Sequence, residues 1–463
     1  MPRVALFVVV VVAALACSGT TVPHQESDPH TFQGTMGAAA YRIDVPAGWN
    51  GTLFLYSHGY VAPGANNKAV AAPSVEATAW LLNHHFAIAG SSYSTTGWAL
   101  EDAFKDQIAL LDYFSTRAGT PKRVIAWGIS LGGIVTAGLV QLHPERFAAA
   151  MPMCGVLSGG VATWNTELDA AYAFKTLLAP TSNLQLAHVT NRDANLKLAL
   201  DIFAQAATTA AGRARIALVG ALIDLPGWFD PRLPEPAPND FAAREAAQAA
   251  WESRVDFTFA FSYRAELEQR AGGNPSWNTG VDYGHQLSIS PDRDEVIALY
   301  SAAELNLESD LGALKAGARI TADPAAVQYL DQNISLDGRL SIPVLTMHTT
   351  GDGLVIPPNE NAYASGVGDA GASALLRQTF VHRAGHCAFT EAETIAALQV
   401  LLKRLDTGRW DDAALTPAAL NAAAQAQGDL ENVFFGAPAA PSFVEFTPAP
   451  HPRPFPKGTP LPT

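Results

Sequence analysis

The sequence predicts an α/β protein built on a mostly parallel sheet whose two faces are covered by helices. Three observations lead there. Short, continuous apolar runs recur along the chain with helical spacing between them, as buried parallel strands require. One run passes straight into Gly128-Ile129-Ser130-Leu131-Gly132-Gly133 and then into an apolar helix. The alternation breaks off once, for a long stretch rich in alanine and aromatics, and then resumes.

Taken in order, Leu53-Phe54-Leu55-Tyr56 is the first clear strand and ends in Ser57-His58-Gly59-Tyr60. Phe86 to Gly90 is the next, followed by a helix over 99–116 with apolar positions at Phe104, Ile108, Leu111 and Phe114. Val124 to Trp127 is the strand that enters the serine motif, and Phe147 to Met153 comes after it. Residues 158–335 read mostly helical, with Trp164, Trp228, Trp251 and Trp277 and with Phe257, Phe259 and Phe261 on alternate positions. Prolines at 226, 231, 234, 236 and 238 break this segment in the middle. Strands return at Ile342 to Met347 and Arg377 to Val381, and a helix from Glu391 to Leu405 closes the unit. Residues 406–435 read as a helical extension.

The chain of 463 residues is long enough to bury a sizeable core. With 48% hydrophobic and 16% charged residues it cannot be wholly disordered. A net charge of −14 would repel phosphate backbones, which argues against a nucleic-acid partner. Three cysteines are too few for a disulfide scaffold, and no Cys/His cluster has zinc-ligand spacing. Neither a metal nor an organic cofactor is implied.

The two ends read differently from the body. Arg3, the apolar run Val4 to Leu15 and Ala14-Leu15-Ala16 form a secretory signal over residues 1–16, too short for a permanent membrane span. Cys17 comes directly after it, as in a lipobox, although Ala14 stands where leucine is usual. Two fates stay open: acylation of Cys17, which would anchor the protein to a membrane surface, or simple export to the periplasm, cell surface or medium. Residues 17–30 read as a flexible tether. In 436–463 nine of 28 residues are proline, so this tail is extended: either disordered, or a strap packing Phe443, Phe446 and Phe455 on the body.

The chemistry falls on strand ends. In G-x-S-x-G between strand and helix, Gly128 and Gly132 make room for a turn that lifts Ser130 to the top of the sheet. A serine hydroxyl needs a base, and His386 in Ala384-Gly385-His386-Cys387 lies after the last strand, where a loop can reach back. His58, His348 and His382 sit in other loop or strand positions and read as structural. Asp352, just after the Met347 strand, is the acid that would orient His386; Asp369, in a Gly-rich stretch, reads as a turn residue. The N–H groups of Leu131 and of Tyr60, with Gly59 next, are the expected oxyanion donors.

Ser57-His58-Gly59-Tyr60, Gly128 to Gly133, Thr350-Gly351-Asp352 and Gly385-His386 together resemble the α/β-hydrolase superfamily over residues 30 to 405. The nearer resemblance is to secreted bacterial hydrolases of the esterase and of the prolyl-oligopeptidase-like or aminopeptidase-like groups. It implies an eight-stranded sheet, with 31–157 and 336–405 as the catalytic domain and 158–335 as a cap between the sixth and seventh strands. Ser130 at the elbow argues against dehalogenases and epoxide hydrolases of this superfamily, which use aspartate there. What remains is acyl chemistry on a small ester or peptide substrate, with ester hydrolysis expected ahead of peptide hydrolysis. A peptidase would need acids for a substrate ammonium, and Glu266 and Asp282 are in the cap. A non-catalytic binding lipoprotein is the reading from another class; it would be indifferent to Ser130→Ala. Cys154 and Cys387 both fall at the expected C-terminal edge of the sheet, either as a disulfide pinning the histidine loop or as two free thiols.

Overall fold

A computed structural model describes residues 28–429 and 431–460. The signal segment and Cys17 lie outside the described residues.

Strands β1 (His30–Met36), β2 (Ala39–Val45), β3 (Thr52–Ser57), β4 (Ala87–Ser91), β5 (Arg123–Ile129), β6 (Ala149–Met153), β7 (Val344–Gly351) and β8 (Leu376–Ala384) make the sheet, in the order β1-β2-β4-β3-β5-β6-β7-β8. From β4 to β8 every neighbour is parallel; β2 runs antiparallel to both β1 and β4. The central strands β3 to β6 are buried almost throughout, which is why they read as unbroken apolar runs. On one face pack α2 (Leu100–Ala118) and α3 (Leu131–Leu142); on the other pack α1 (Val75–Asn83) and α14 (Glu391–Thr407). Each face carries its own apolar core, with Phe104, Phe114 and Ile134 on one and Phe54, Trp127 and Met151 on the other.

Among the described residues the sheet has nine strands, one more than expected. The ninth, Phe443–Val444, comes from the proline-rich tail and pairs antiparallel with β8 opposite Val381 and Phe380. The tail is a strap: Phe443 and Phe455 are buried, while Phe446 is partly exposed against Phe380. Arg453 of the strap places Nη1 2.7 Å from both carboxylate oxygens of the fully buried Asp169 in the cap. Two further expectations need correction. His30, placed in the tether, already belongs to β1, where it pairs with Val45. Within 406–435, past the end of α14, the only helix among the described residues is α15 (Pro417–Gln425). The chain beyond it turns into a short hairpin pairing Val433–Phe434 with Ala437–Pro438.

Between β6 and β7 the chain leaves the sheet and forms a helical array, from α4 (Gly160–Leu178) to α12 (Pro324–Gln332). The core of this cap includes Phe174, Leu218, Phe257, Phe261 and Tyr300. Two π-helical stretches, Glu252–Asp256 and Phe259–Tyr263, interrupt the array. A π turn shifts the side-chain phase, so residues near it face directions that a 3.6-residue period does not give. Phe257 and Phe261 accordingly pack into the cap core around Phe174, while Phe259 turns to Tyr60 near the sheet.

Candidate active site

The turn after β5 needs its glycines. A methyl group on Gly132 would lie 1.9 Å from the Ser57 carbonyl oxygen, and one on Gly128 would lie 2.5 Å from the Ser57 and Gly132 oxygens. Between them Ser130 takes φ 58° and ψ −123°, a left-handed backbone that a side-chain-bearing residue holds only under constraint. The constraint is visible. The Ser130 N–H donates to the Met153 oxygen at 3.0 Å, and the Ser130 oxygen accepts the Gly133 N–H at 2.8 Å. The hydroxyl therefore stands at the N-terminus of α3, above the C-terminal edge of the sheet. The loop after β3 reaches the same place: a Cβ on Gly59 would come within 3.3 Å of the Ser130 Cβ. This brings the main chain of Gly59 and Tyr60 beside Ser130, across from Leu131, the first residue of α3. His58 does not face the serine. It is buried, stacks on Tyr93 at 4.0 Å and turns its ring nitrogens to the Gly59 and Ser92 oxygens, and burial holds its pKa down.

β7 ends at Gly351, and Asp352 comes next, fully buried. One of its oxygens accepts the N–H groups of Leu354 and Val355, each at 3.0 Å; the other accepts Nδ1 of His386 at 2.7 Å. Burial opposes the charge on Asp352, but His386 and His348 outweigh it and hold its pKa down to about 2. A carboxylate there makes Nδ1 the protonated nitrogen of His386 and leaves Nε2 as the basic one. Nε2 lies 3.4 Å from Cys387 Sγ, and Ser130 makes no side-chain hydrogen bond with His386. Such bonds are often long in free enzymes and tighten with substrate.

The sequence reading passed over the residues behind Asp352. His348 is fully buried in β7, with Nε2 2.7 Å from the Val355 oxygen and 3.5 Å from Asp352, and Nδ1 3.1 Å from Glu360. Glu360, on α13 (Pro358–Asp369), also accepts Thr346 Oγ1 at 2.6 Å and Gln378 Nε2 at 2.5 Å. Burial works against a charge on His348, but the two flanking carboxylates overcome it and raise its pKa to about 10. A histidine raised above its unfolded value of about 6.5 stabilises the fold fully below that pH and loses its contribution as pH climbs through 10. Melting temperature is thus expected to fall between pH 7 and 10, with a smaller fall in His348→Gln. Parallel curves for the two proteins would mean that His348 is neutral.

Cys154, one residue past β6, and Cys387 form a disulfide with Cα atoms 5.4 Å apart, bridging 233 residues of sequence. It ties the histidine loop to the sheet strand next to the serine turn. Closing so long a loop restricts the unfolded chain, and removing a native disulfide typically costs about 2 to 5 kcal/mol. Urea unfolding of Cys154→Ala/Cys387→Ala is expected to show a loss in that range. A loss under about 1 kcal/mol would mean that the bridge does not restrain the unfolded chain.

Cap and sheet enclose a cleft over Ser130, walled by the rings of Tyr60, Trp98, Trp164 and Phe259 with Leu354 and Val355. Glu167 of α4 reaches the same cleft and also lines the adjoining cavity, which Asp256 lines as well. The two acids singled out from sequence have other partners. Glu266 accepts the Trp98 N–H and pairs with Arg270, and Asp282 caps α9 (Tyr283–Ile289). Asp369 ends α13 on the surface, and His382 pairs with Glu235 there. Among the described residues, the group of three or more His, Cys, Asp and Glu side chains close enough to share an ion is Cys154, His386 and Cys387, and its two sulfurs are bonded to each other.

The strand order, the antiparallel β2, the serine turn between β5 and α3, and an acid and a histidine after β7 and β8 define the class: the chain is an α/β-hydrolase. Within that class it is a serine hydrolase. The family model of the prolyl oligopeptidase family matches residues 90–192. An o-phthalyl amidase from Xanthobacter agilis is 28% identical over 419 residues, covering 84% of this chain and 89% of that protein. Among solved structures, an esterase from Aspergillus oryzae is 14% identical with a TM-score of 0.42, over 82% of this chain and 79% of its own. The enol-lactonase of Burkholderia xenovorans LB400 is 13% identical with a TM-score of 0.36, over 80% and 99%. The acylaminoacyl peptidase of Pyrococcus horikoshii is 9% identical with a TM-score of 0.35; the match spans 79% of this chain but 38% of that one.

Proposed function

We propose that this protein hydrolyses small carboxylic esters through an acyl-enzyme on Ser130. Ser130 Oγ attacks the carbonyl carbon while His386 Nε2 takes its proton. The N–H groups of Tyr60 and Leu131 hold the oxyanion, and Asp352 keeps His386 oriented and stabilises its charged form. The tetrahedral intermediate collapses, the bond to the leaving group breaks, and His386 returns the proton to that group. Water then repeats the cycle on the acyl-enzyme. The observation that carries the reading is the 2.7 Å Asp352–His386 bond on the sheet edge where Ser130 stands at its strained turn. The ring-walled cleft suits an apolar or aromatic acyl group.

Amide hydrolysis by the same residues is the second reading, and the similarity to the o-phthalyl amidase over most of the chain favours it. Two chromogenic series separate the readings: p-nitrophenyl esters of aliphatic and aromatic acids, and the matching p-nitroanilides. Ester turnover without anilide turnover establishes the first reading, and comparable turnover of both establishes the second. Turnover that survives Ser130→Ala would remove both.

We also propose that the protein is exported. The signal-like N-terminus supports this, as does a disulfide beside the site, since such bonds persist in oxidising compartments. Acylation of Cys17 would make the exported form membrane-anchored; a lipid mass on the N-terminal peptide is its test.

A further inference from the structure

Buried carboxyl groups are normally paired, and each exception asks for an explanation. Glu167 is nine-tenths buried and its Oε2 has no hydrogen-bond partner; Asp256 is 2% exposed and neither of its oxygens has one. Both line the cavity that adjoins the Ser130 cleft, and Glu167 lines the cleft itself. Asp256 is the last residue of a π-helical stretch, a kind of helix irregularity that is frequent at functional sites. Behind them Glu252, fully buried, is unpartnered at both oxygens. The cation acting on Glu167 is Arg264, fully buried, whose Nη atoms reach Ser276 and the Trp164 oxygen while its Nε has no partner. Burial raises the pKa of Glu167 to about 8 and that of Asp256 well above the carboxylate range.

From this arrangement we infer that Glu167 and Asp256 form a cation subsite next to Ser130, which takes an ammonium group carried by the acyl part of the substrate. An ammonium has three donors for such acceptors, and its charge would favour the carboxylate form of both acids. A hard metal ion fits less well. It wants six or more oxygens, and no third Asp, Glu, His or Cys atom among the described residues converges on this pair. His451 of the C-terminal strap closes the same cavity, and burial holds it neutral, so it brings no competing positive charge.

The inference rests on Ser130 being the nucleophile, so its test has one arm that needs no turnover. Calorimetric binding of benzylamine to the full protein is expected to be at least tenfold tighter than that of benzyl alcohol. Ser130→Ala should retain that difference, while Glu167→Gln and Asp256→Asn should each remove most of it. In the second arm, the p-nitrophenyl ester of phenylalanine is expected to exceed that of 3-phenylpropanoic acid at least tenfold in kcat/KM, mainly through KM. Equal binding of benzylamine and benzyl alcohol to the wild-type protein overturns the subsite, even if either variant misfolds. Tighter binding of phenylacetate than of benzylamine also overturns it, in favour of protonated carboxyls donating to an acid. Ester turnover that persists in Ser130→Ala would instead sink the catalytic reading and leave the binding result standing.

Discussion

Ser130→Ala is expected to lower kcat by a factor on the order of 10⁴ to 10⁶, with little change in KM or stability. In the proposed mechanism the hydroxyl oxygen is the atom that bonds to the acyl carbon, so its loss removes the covalent route altogether. Residual turnover of about 10³ over water would come from the oxyanion donors and binding alone. The alanine should be tolerated at φ 58° as the serine is, because the turn is held by the Met153 and Gly133 hydrogen bonds and by Gly128 and Gly132. Steady-state kinetics on a p-nitrophenyl ester, with a melting curve for the variant, checks both parts. A drop of less than tenfold would mean that another nucleophile operates.

Asp352→Asn is expected to cost about 10⁴ in kcat. An amide cannot offer two acceptor oxygens: its NH2 would face either His386 Nδ1 or the N–H groups of Leu354 and Val355. If it faces His386, the imidazole must flip to the tautomer in which Nε2 carries the proton and cannot act as base. In the proposed mechanism the change also removes the negative charge that would stabilise the imidazolium. The raised pKa of His348 rests on Asp352 as well as Glu360, so the high-pH loss of stability should begin at lower pH in this variant. The pH dependence of melting reads this second effect independently of turnover. An activity loss without that change would confine Asp352's role to His386.

The central strands were legible because a parallel sheet buries both faces, and burial writes continuous apolar runs such as Leu53 to Tyr56. β1 was not, since it is an edge strand exposed along most of its length, and its residues keep no alternation. The ninth strand is two residues long among prolines, and only its pairing with β8 makes it a strand. Ser130, Asp352 and His386 could be read because each comes after a recognisable strand and the fold brings strand ends together. Glu167 could not, because an acid inside an alanine-rich helix reads as solvated until the helix is placed over the sheet. Asp256 was hidden for a different reason: the π turns around it break the period on which a face assignment depends. His348 read as structural; that Glu360, twelve residues on, would pair with it depends on how α13 returns beneath β7.

The assignment of Ser130 as nucleophile and His386 as its base is open to one direct test. Labelling with a fluorophosphonate, then peptide mass mapping, addresses it without knowledge of the substrate. The expected result is one adduct, on the peptide that carries Ser130, lost in Ser130→Ala and formed far more slowly in His386→Ala. An adduct on another residue, or labelling of Ser130 at the same rate without His386, would contradict it.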